Sequence, residues 1–305
     1  MQKPRTGLPR LAASAWLVAA AAVCVSSAAG AEENEAPAIG RQGEPANPFY
    51  ALDTKNLFGF LEGADVGEAG DKSLEFETTG ALGKAQGRFQ SVEQEFIFEP
   101  TLTDSLGLEL GAHVLGQNVK GVADLPDFTG VDFMGLSVEA RYVVTHRSAA
   151  SPIQVTLTVA PEWDAIGDAG QRVVDFNAAF RAIADWQSAD RRVYGAVNLV
   201  YAPNSARLPG RLWERTSTFG VSTALSYRVT PPLMLGAEAD YERAYDGVTP
   251  KGYRGEALYL GPTFHYQINE RIDFSAAFLA QGTNGPLDLA DFPRSLAKLR
   301  LEVQF

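Results

Sequence analysis

Acidic side chains recur at every second position in several parts of the chain, beginning with Glu75 and Glu77. Side chains two positions apart lie on one face of a β-strand. Such a face could line a pore that filters charged solutes, or it could form a salt-bridged filling that keeps a barrel closed. Other members of the predicted interior face are Glu93, Glu95, Glu109, Glu139, Arg141, Arg181, Glu238, Asp240, Lys298 and Arg300. This face carries fifteen acids and five bases in total, a formal excess of ten negative charges.

The histidines give little support for catalysis. There are three, and strand parity puts His113 and His265 on the interior face, whereas His146 falls at a predicted short turn. A membrane lipid hydrolase needs a serine and a histidine within hydrogen-bond reach near the outer leaflet. The chain also lacks the G-x-S-x-G and H-E-x-x-H motifs. We therefore expect no enzyme, no cofactor and no metal site, and we interpret His113 and His265 as interior polar groups.

A second group of acids lies between Leu57 and Lys72, where glycine alternates with acidic residues. A calcium loop is one interpretation, but the spacing does not match the D-x-[DN]-x-[DN]-G pattern. A solvated turn or a plug at the mouth of a barrel is the favoured interpretation. The preceding residues, from Glu32 to Tyr50, are rich in Glu, Pro and Gly and predict a flexible periplasmic arm. We assign residues 32–72 to one N-terminal arm or plug-like segment.

The rest of the chain, residues 73–305, alternates between apolar and polar side chains almost throughout. The alternating stretches run near ten residues, the length that a tilted strand needs to cross a bilayer. Connections between them are alternately short and long, as in barrels with short inner turns and longer outer loops. Twelve stretches are predicted, near 73–80, 88–100, 105–116, 132–146, 152–163, 173–186, 191–202, 217–229, 232–245, 254–268, 271–281 and 295–305.

The first 31 residues have the three-part layout of a secretory signal peptide. Three basic residues precede an apolar run over residues 11–25, and a small-residue site ends at Ala31. Cleavage after Ala31 would also remove Cys24, whose alternative role as a lipidated first residue is less favoured because its preceding residues fit a lipoprotein site poorly. The net charge of −11 argues against nucleic-acid binding, which needs a surplus of bases.

The chain ends in strict alternation, with Leu299, Leu301, Val303 and the terminal Phe305 on one face. This ending resembles the C-terminal assembly signal of Gram-negative outer-membrane β-barrel proteins, which is similar in its terminal aromatic residue and alternating apolar neighbours. The resemblance covers residues 73–305 and implies an all-β, antiparallel, up-and-down transmembrane barrel of about twelve strands. It also implies an outer-membrane location, with contacts to the barrel-assembly machinery, membrane lipids and lipopolysaccharide.

Three functions are consistent with this architecture. The leading expectation is a porin-like, narrow passive channel for small solutes that prefers cations, because the interior is acidic. The second is a non-conducting barrel that has a structural role or presents its loops to a ligand, and the third is a lipid hydrolase. A loop with Arg207, Arg211 and Arg215 close to Trp213 is expected to contact lipopolysaccharide phosphates rather than a free phosphorylated ligand.

Overall fold

The computed structural model of the chain describes residues 52–123, 125–148, 151–167, 170–208, 210–282 and 292–305. The predicted signal peptide and the arm up to residue 51 lie outside these ranges. Among the described residues, none belongs to a helix with the length and apolarity required for a membrane span.

Within the described ranges the chain forms twelve β-strands, which correspond one to one with the predicted stretches. Their bounds are β1 Lys72–Leu82, β2 Arg88–Thr103, β3 Leu106–Lys120, β4 Phe128–Thr145, β5 Ile153–Ile166, β6 Arg172–Gln187, β7 Val193–Arg207, β8 Glu214–Thr230, β9 Leu233–Asp246, β10 Tyr253–Asn269, β11 Ile272–Gln281 and β12 Ser295–Gln304. Several strands are longer than predicted, because pairing continues into the segments expected to be outer loops. β4, for example, begins at Phe128 and runs for 18 residues.

The strands pair antiparallel with their neighbours along the chain, and β1 pairs with β12 to close the sheet into a barrel. The closing register puts Glu77 opposite Arg300 and Phe76 opposite Leu301. Closure gives the backbone N–H and C=O groups of both edge strands hydrogen-bond partners. A sheet in lipid needs this because unpaired backbone groups there are costly. The prediction of an all-β, antiparallel, twelve-stranded barrel is confirmed.

The outer surface of the barrel is apolar. Large aliphatic side chains that are about half exposed point outward from strands around the barrel, among them Leu110, Leu136, Leu157, Leu199, Leu225 and Leu260. Aromatic rings pack beside one another on the same surface, as in the stacked pair of Phe180 and Tyr201. An apolar belt of this extent fits the hydrocarbon of a bilayer and would be unfavourable in water.

Residues 52–66, which precede β1 in the chain, are mostly buried inside the barrel. Leu52, Leu57, Phe58 and Leu61 form one buried cluster with inward-facing side chains of β7, β8 and β9, including Tyr194. The segment folds back on itself, since the Gly63 amide donates to the Lys55 carbonyl at 3.0 Å. A side chain at Gly63 would overlap the Thr54 backbone, so this close approach requires glycine. We refer to residues 52–66 as the lumen segment.

Candidate functional site in the barrel lumen

The twelve interior-face residues named above are part of a predicted set of twenty, and none of them is exposed on the outer surface. Six of them are buried, namely Glu75, Glu139, Arg141, Glu238, Asp240 and Arg300. The other six are half-buried, namely Glu77, Glu93, Glu95, Glu109, Arg181 and Lys298. They do not form one ring, because the lumen segment divides them into separate groups.

The first group lies where the barrel closes. Arg300 Nε lies 2.8 Å from Glu75 Oε1, and Arg300 Nη2 lies 2.7 Å from Glu77 Oε2. Lys298 Nζ also contacts Glu77, at 2.7 Å. These bases therefore pair with acids of β1, whereas Glu93 and Glu95 of β2 contact His113. Ion pairs between β12 and β1 add side-chain contacts to the hydrogen bonds of closure.

The second group holds the lumen segment through Arg141, whose side chain is only 1% exposed. Its Nη1 contacts Glu62 and lies 3.0 Å from Glu139 Oε1, and its Nη2 donates to the Gly63 carbonyl at 2.7 Å. Arg181 also contacts Glu139. Burial by itself raises the pKa of Glu62, but the guanidinium groups of Arg181 and Arg141 outweigh it and hold that pKa well below its ordinary value.

Two inward-facing acids bind the backbone of the lumen segment from other strands. Glu238 accepts hydrogen bonds from the amides of Phe60 and Leu61, the first at 2.9 Å. Asp185 accepts one from the Ala64 amide at 2.8 Å. Because the lumen offers these carboxylates to free amide groups, a stretch without regular secondary structure can be buried there.

Lys55 contributes a buried, charged side chain of the lumen segment. Its Nζ lies 2.5 Å from Glu99 Oε1 and 2.8 Å from Glu109 Oε1. Burial by itself lowers the pKa of Lys55, but the carboxylates of Glu109 and Glu99 outweigh it and raise the pKa well above its ordinary value. The lysine is therefore charged at neutral pH.

Two of the cavities lined by described residues meet at this lysine. One has a volume of about 180 Å³ and lies towards β4 and β6, with Glu139 and Arg181 in its wall. The other, of about 230 Å³, opens towards the start of β1, with Asp71 and Lys72 in its wall. Lys55 and Glu109 line both cavities, so their ion pair forms part of the partition between the two spaces.

A serine–histidine contact does occur, but at the end of the barrel where the short turns lie. Ser105 Oγ is 2.8 Å from His146 Nε2, and both residues are solvent-accessible. No carboxylate contact to His146 is recorded among the described residues. Among the described residues this pair has no orienting acid, and it does not lie at the lipid-facing outer position that a hydrolase site would need.

Sequence reasoning missed the parts played by Lys55 and Glu62, because the segment that carries them has no periodic pattern. One signal was present, the apolar stretch from Leu57 to Leu61 with Gly59 at its centre. A side chain at Gly59 would overlap the Ala277 side chain on β11, so the segment packs tightly against the wall at this point. A short apolar stretch between polar sequences can thus indicate burial within a lumen.

The closed sheet, the apolar belt and the charged interior define a bacterial outer-membrane β-barrel protein. The chain belongs to a family of unknown function, DUF6662, whose model matches residues 50–301. No curated protein matches the sequence.

Two solved structures resemble the barrel. The COG4313 outer-membrane channel from Pseudomonas putida F1 has a TM-score of 0.56 and 14% sequence identity, covering 79% of this chain and 98% of that one. The NanC porin has a TM-score of 0.50 and 10% identity, covering 76% of this chain and 98% of that one. At these identities the similarity concerns the fold.

Proposed function

We propose that this protein is a narrow passive channel for small solutes in the outer membrane. The observation that carries the proposal is the pair of polar cavities that meet at Lys55. Displacement of Lys55 from Glu99 and Glu109 would join the two cavities into one path beside the lumen segment. Such a path admits ions and small polar molecules and excludes bulky ones.

Cation preference follows from the charge of the interior. The strands contribute a formal excess of ten negative charges, and the lumen segment adds Asp53, Glu62 and Asp65 against Lys55. A narrow space lined by excess negative charge raises the local concentration of cations. Formal charge overstates the field, because many of these acids are paired with bases.

Planar-bilayer conductance of the purified, refolded protein tests this function. We expect small unitary conductance and, in a potassium chloride gradient, a reversal potential of the sign that indicates cation preference. Anion preference would contradict the acidic-lumen argument. The absence of conductance would instead support the second function, a closed structural or ligand-presenting barrel, which the many bonds between the lumen segment and the wall also favour.

The outer loop after β7 supports a contact with lipopolysaccharide. The guanidinium of Arg207 stacks over the Trp213 ring at 4.9 Å, and Trp213 is 43% exposed. Arg211 and Arg215 are also exposed nearby in sequence. An exposed ring with adjacent bases suits the boundary between acyl chains and phosphates. Replacing the three arginines with glutamine should weaken binding of the refolded barrel to lipopolysaccharide vesicles, with Lys251→Gln as a control.

The proposal also includes the assignment of residues 1–31 as a cleaved signal peptide. Export would remove residues 1–31, leaving Glu32 as the first residue. N-terminal sequencing of the membrane-embedded protein tests the site, and recovery of the intact chain would contradict it. The barrel-assembly machinery would then recognise the C-terminal strand.

A further inference from the structure

A further cavity lies at the end of the barrel where the short turns are. Its volume is about 610 Å³, which is large enough for a small organic molecule. Its wall contains turn residues from two hairpins, among them Pro232 and Glu270, and the first residues of the lumen segment, Leu52 and Asp53. Asp53 and Glu270 are exposed, so a ligand can reach the cavity from this end of the barrel.

The ionisable groups in the wall of this cavity are acidic, apart from one histidine. Asp53, Glu270 and Asp273 line it, and among the described residues no lysine or arginine does so. Leu52 and Pro232 add apolar surface to the same wall. This combination favours a cation with a carbon skeleton, because the carboxylates attract its charge and the apolar side chains remove its alkyl groups from water.

The histidine in the wall, His265, is buried without a hydrogen bond. The residue is 4% exposed, and both of its ring nitrogens lack a hydrogen-bond partner. Asp273 Oδ1 is also buried without a hydrogen bond. It lies 3.6 Å from His265 Nε2, a distance too long for the two atoms to satisfy each other. Unsatisfied buried polar atoms are costly, so this pair in the wall of a cavity indicates a missing partner.

A single donor group can satisfy both atoms. Because Nε2 of His265 and Oδ1 of Asp273 are 3.6 Å apart, one nitrogen can lie at about 2.9 Å from each, the ordinary hydrogen-bond distance. A primary ammonium group has enough N–H bonds to donate one to the carboxylate and another to the imidazole lone pair. A metal ion fits less well, since these two residues belong to no group of three metal-capable side chains among those described.

We propose that this cavity binds a small primary alkylammonium compound, with the ammonium group between His265 and Asp273. The alkyl chain contacts Leu52, and the exposed carboxylates of Asp53 and Glu270 attract the ligand towards the cavity. The site goes beyond the proposed channel function and does not depend on it, because a barrel that does not conduct would bind the ligand equally well.

Calorimetric titration of the refolded barrel in detergent with putrescine tests the proposal. We expect saturable binding of one equivalent, with affinity reduced at least about tenfold in Asp273→Asn and in His265→Phe, because each change removes a hydrogen bond to a charged group. Butanediol has the same carbon chain without the charge and should bind at least about tenfold more weakly. The matched control, Glu68→Gln, removes an exposed acid from the wall of a different cavity and should leave the affinity unchanged.

Nuclear magnetic resonance provides an independent readout, because the chain has only three histidines. In a histidine-labelled barrel the ring signals of His265 should shift as putrescine is added, whereas those of His113 and His146 should not. Heat-modifiable migration on gels shows whether each variant has folded. Absence of saturable binding, unshifted His265 signals, or equal affinity in folded Asp273→Asn would overturn the proposal. Conductance is measured separately, so the two proposals can fail independently.

Discussion

Lys55 pairs with Glu99 and Glu109 at the partition between two cavities. Replacing it with glutamine should increase unitary conductance and strengthen cation preference, because the change removes a positive charge and opens the partition. Single-channel recording in potassium chloride measures both quantities. Lys120→Gln makes the same change of charge at an exposed position near the outer end of β3 and should have little effect. Equal conductance in the Lys55 variant and the wild type would place the solute path elsewhere.

Glu62 makes the attachment of the lumen segment sensitive to acid. Its pKa in the folded barrel lies well below the ordinary value of 4.5, because Arg181 and Arg141 outweigh the effect of burial. A lowered pKa means that the contact stabilises the fold above pH 4.5 and loses that contribution as the pH falls towards the folded-state pKa. In planar-bilayer recordings, transient openings of the channel should therefore become more frequent as the pH falls below 4.5.

The Glu62→Gln variant provides the control for that experiment. It cannot form the charged contact with Arg141, so its openings should already be frequent at neutral pH and should change less on acidification. Other lumen acids titrate in both proteins, so the difference between the two profiles isolates Glu62. Identical pH profiles would show that this contact does not hold the segment.

At the scale of the strands, closure between β12 and β1 depends on a buried ion-pair group as well as on backbone pairing. Arg300 is 3% exposed and contacts Glu75 and Glu77. Removing one partner of a buried pair leaves an uncompensated charge, so Arg300→Met should lower the free energy of unfolding by about 3 kcal/mol. Urea unfolding in detergent measures the loss. The triple variant that also carries Glu75→Gln and Glu77→Gln should recover part of it, and a loss without any recovery would argue against this ion-pair account.

The C-terminal strand should also decide whether the barrel assembles. Leu299 and Phe305 are strongly exposed on the outer surface, and the Phe305 amide donates to the Lys72 carbonyl at 3.0 Å. Deleting Phe305 should reduce the amount of heat-modifiable barrel in the outer membrane without reducing export. Phe305→Tyr keeps an aromatic terminus and should assemble normally. Normal assembly of the truncated chain would show that recognition does not require this residue.

At the scale of the whole molecule, selectivity should depend on salt. The screening length falls from about 10 Å at 0.1 M salt to about 3 Å at 1 M, so the field of the acidic lumen reaches less far into the path as salt rises. Reversal potentials measured at a fixed concentration ratio should therefore show weaker cation preference at high salt. A preference that did not change with salt would indicate selection by a tight contact, such as the Lys55 partition, rather than by the overall field.

The sequence alone determined the barrel wall. Period-two alternation is a local property, and closure follows because an exposed strand edge is not tolerated in lipid. Glu75 and Arg300 could be placed on the interior face because charge on the lipid face is strongly unfavourable. The same reasoning underestimated strand length, since pairing beyond the bilayer continues into segments where the alternation is weak.

Only the tertiary structure decided what fills the barrel. The lumen segment has no periodic pattern, and its position depends on carboxylates such as Asp185 and Glu238, which lie more than a hundred residues away in sequence. The surroundings of His113 also depend on the tertiary structure. The register of β3 against β4 is irregular next to His113 and places Gly135 opposite it, and Gly135 in turn pairs with Asp164. Parity assigns a side chain to a face of the sheet, whereas the partner of that side chain depends on the relative shift of the strands and on whatever else occupies the interior.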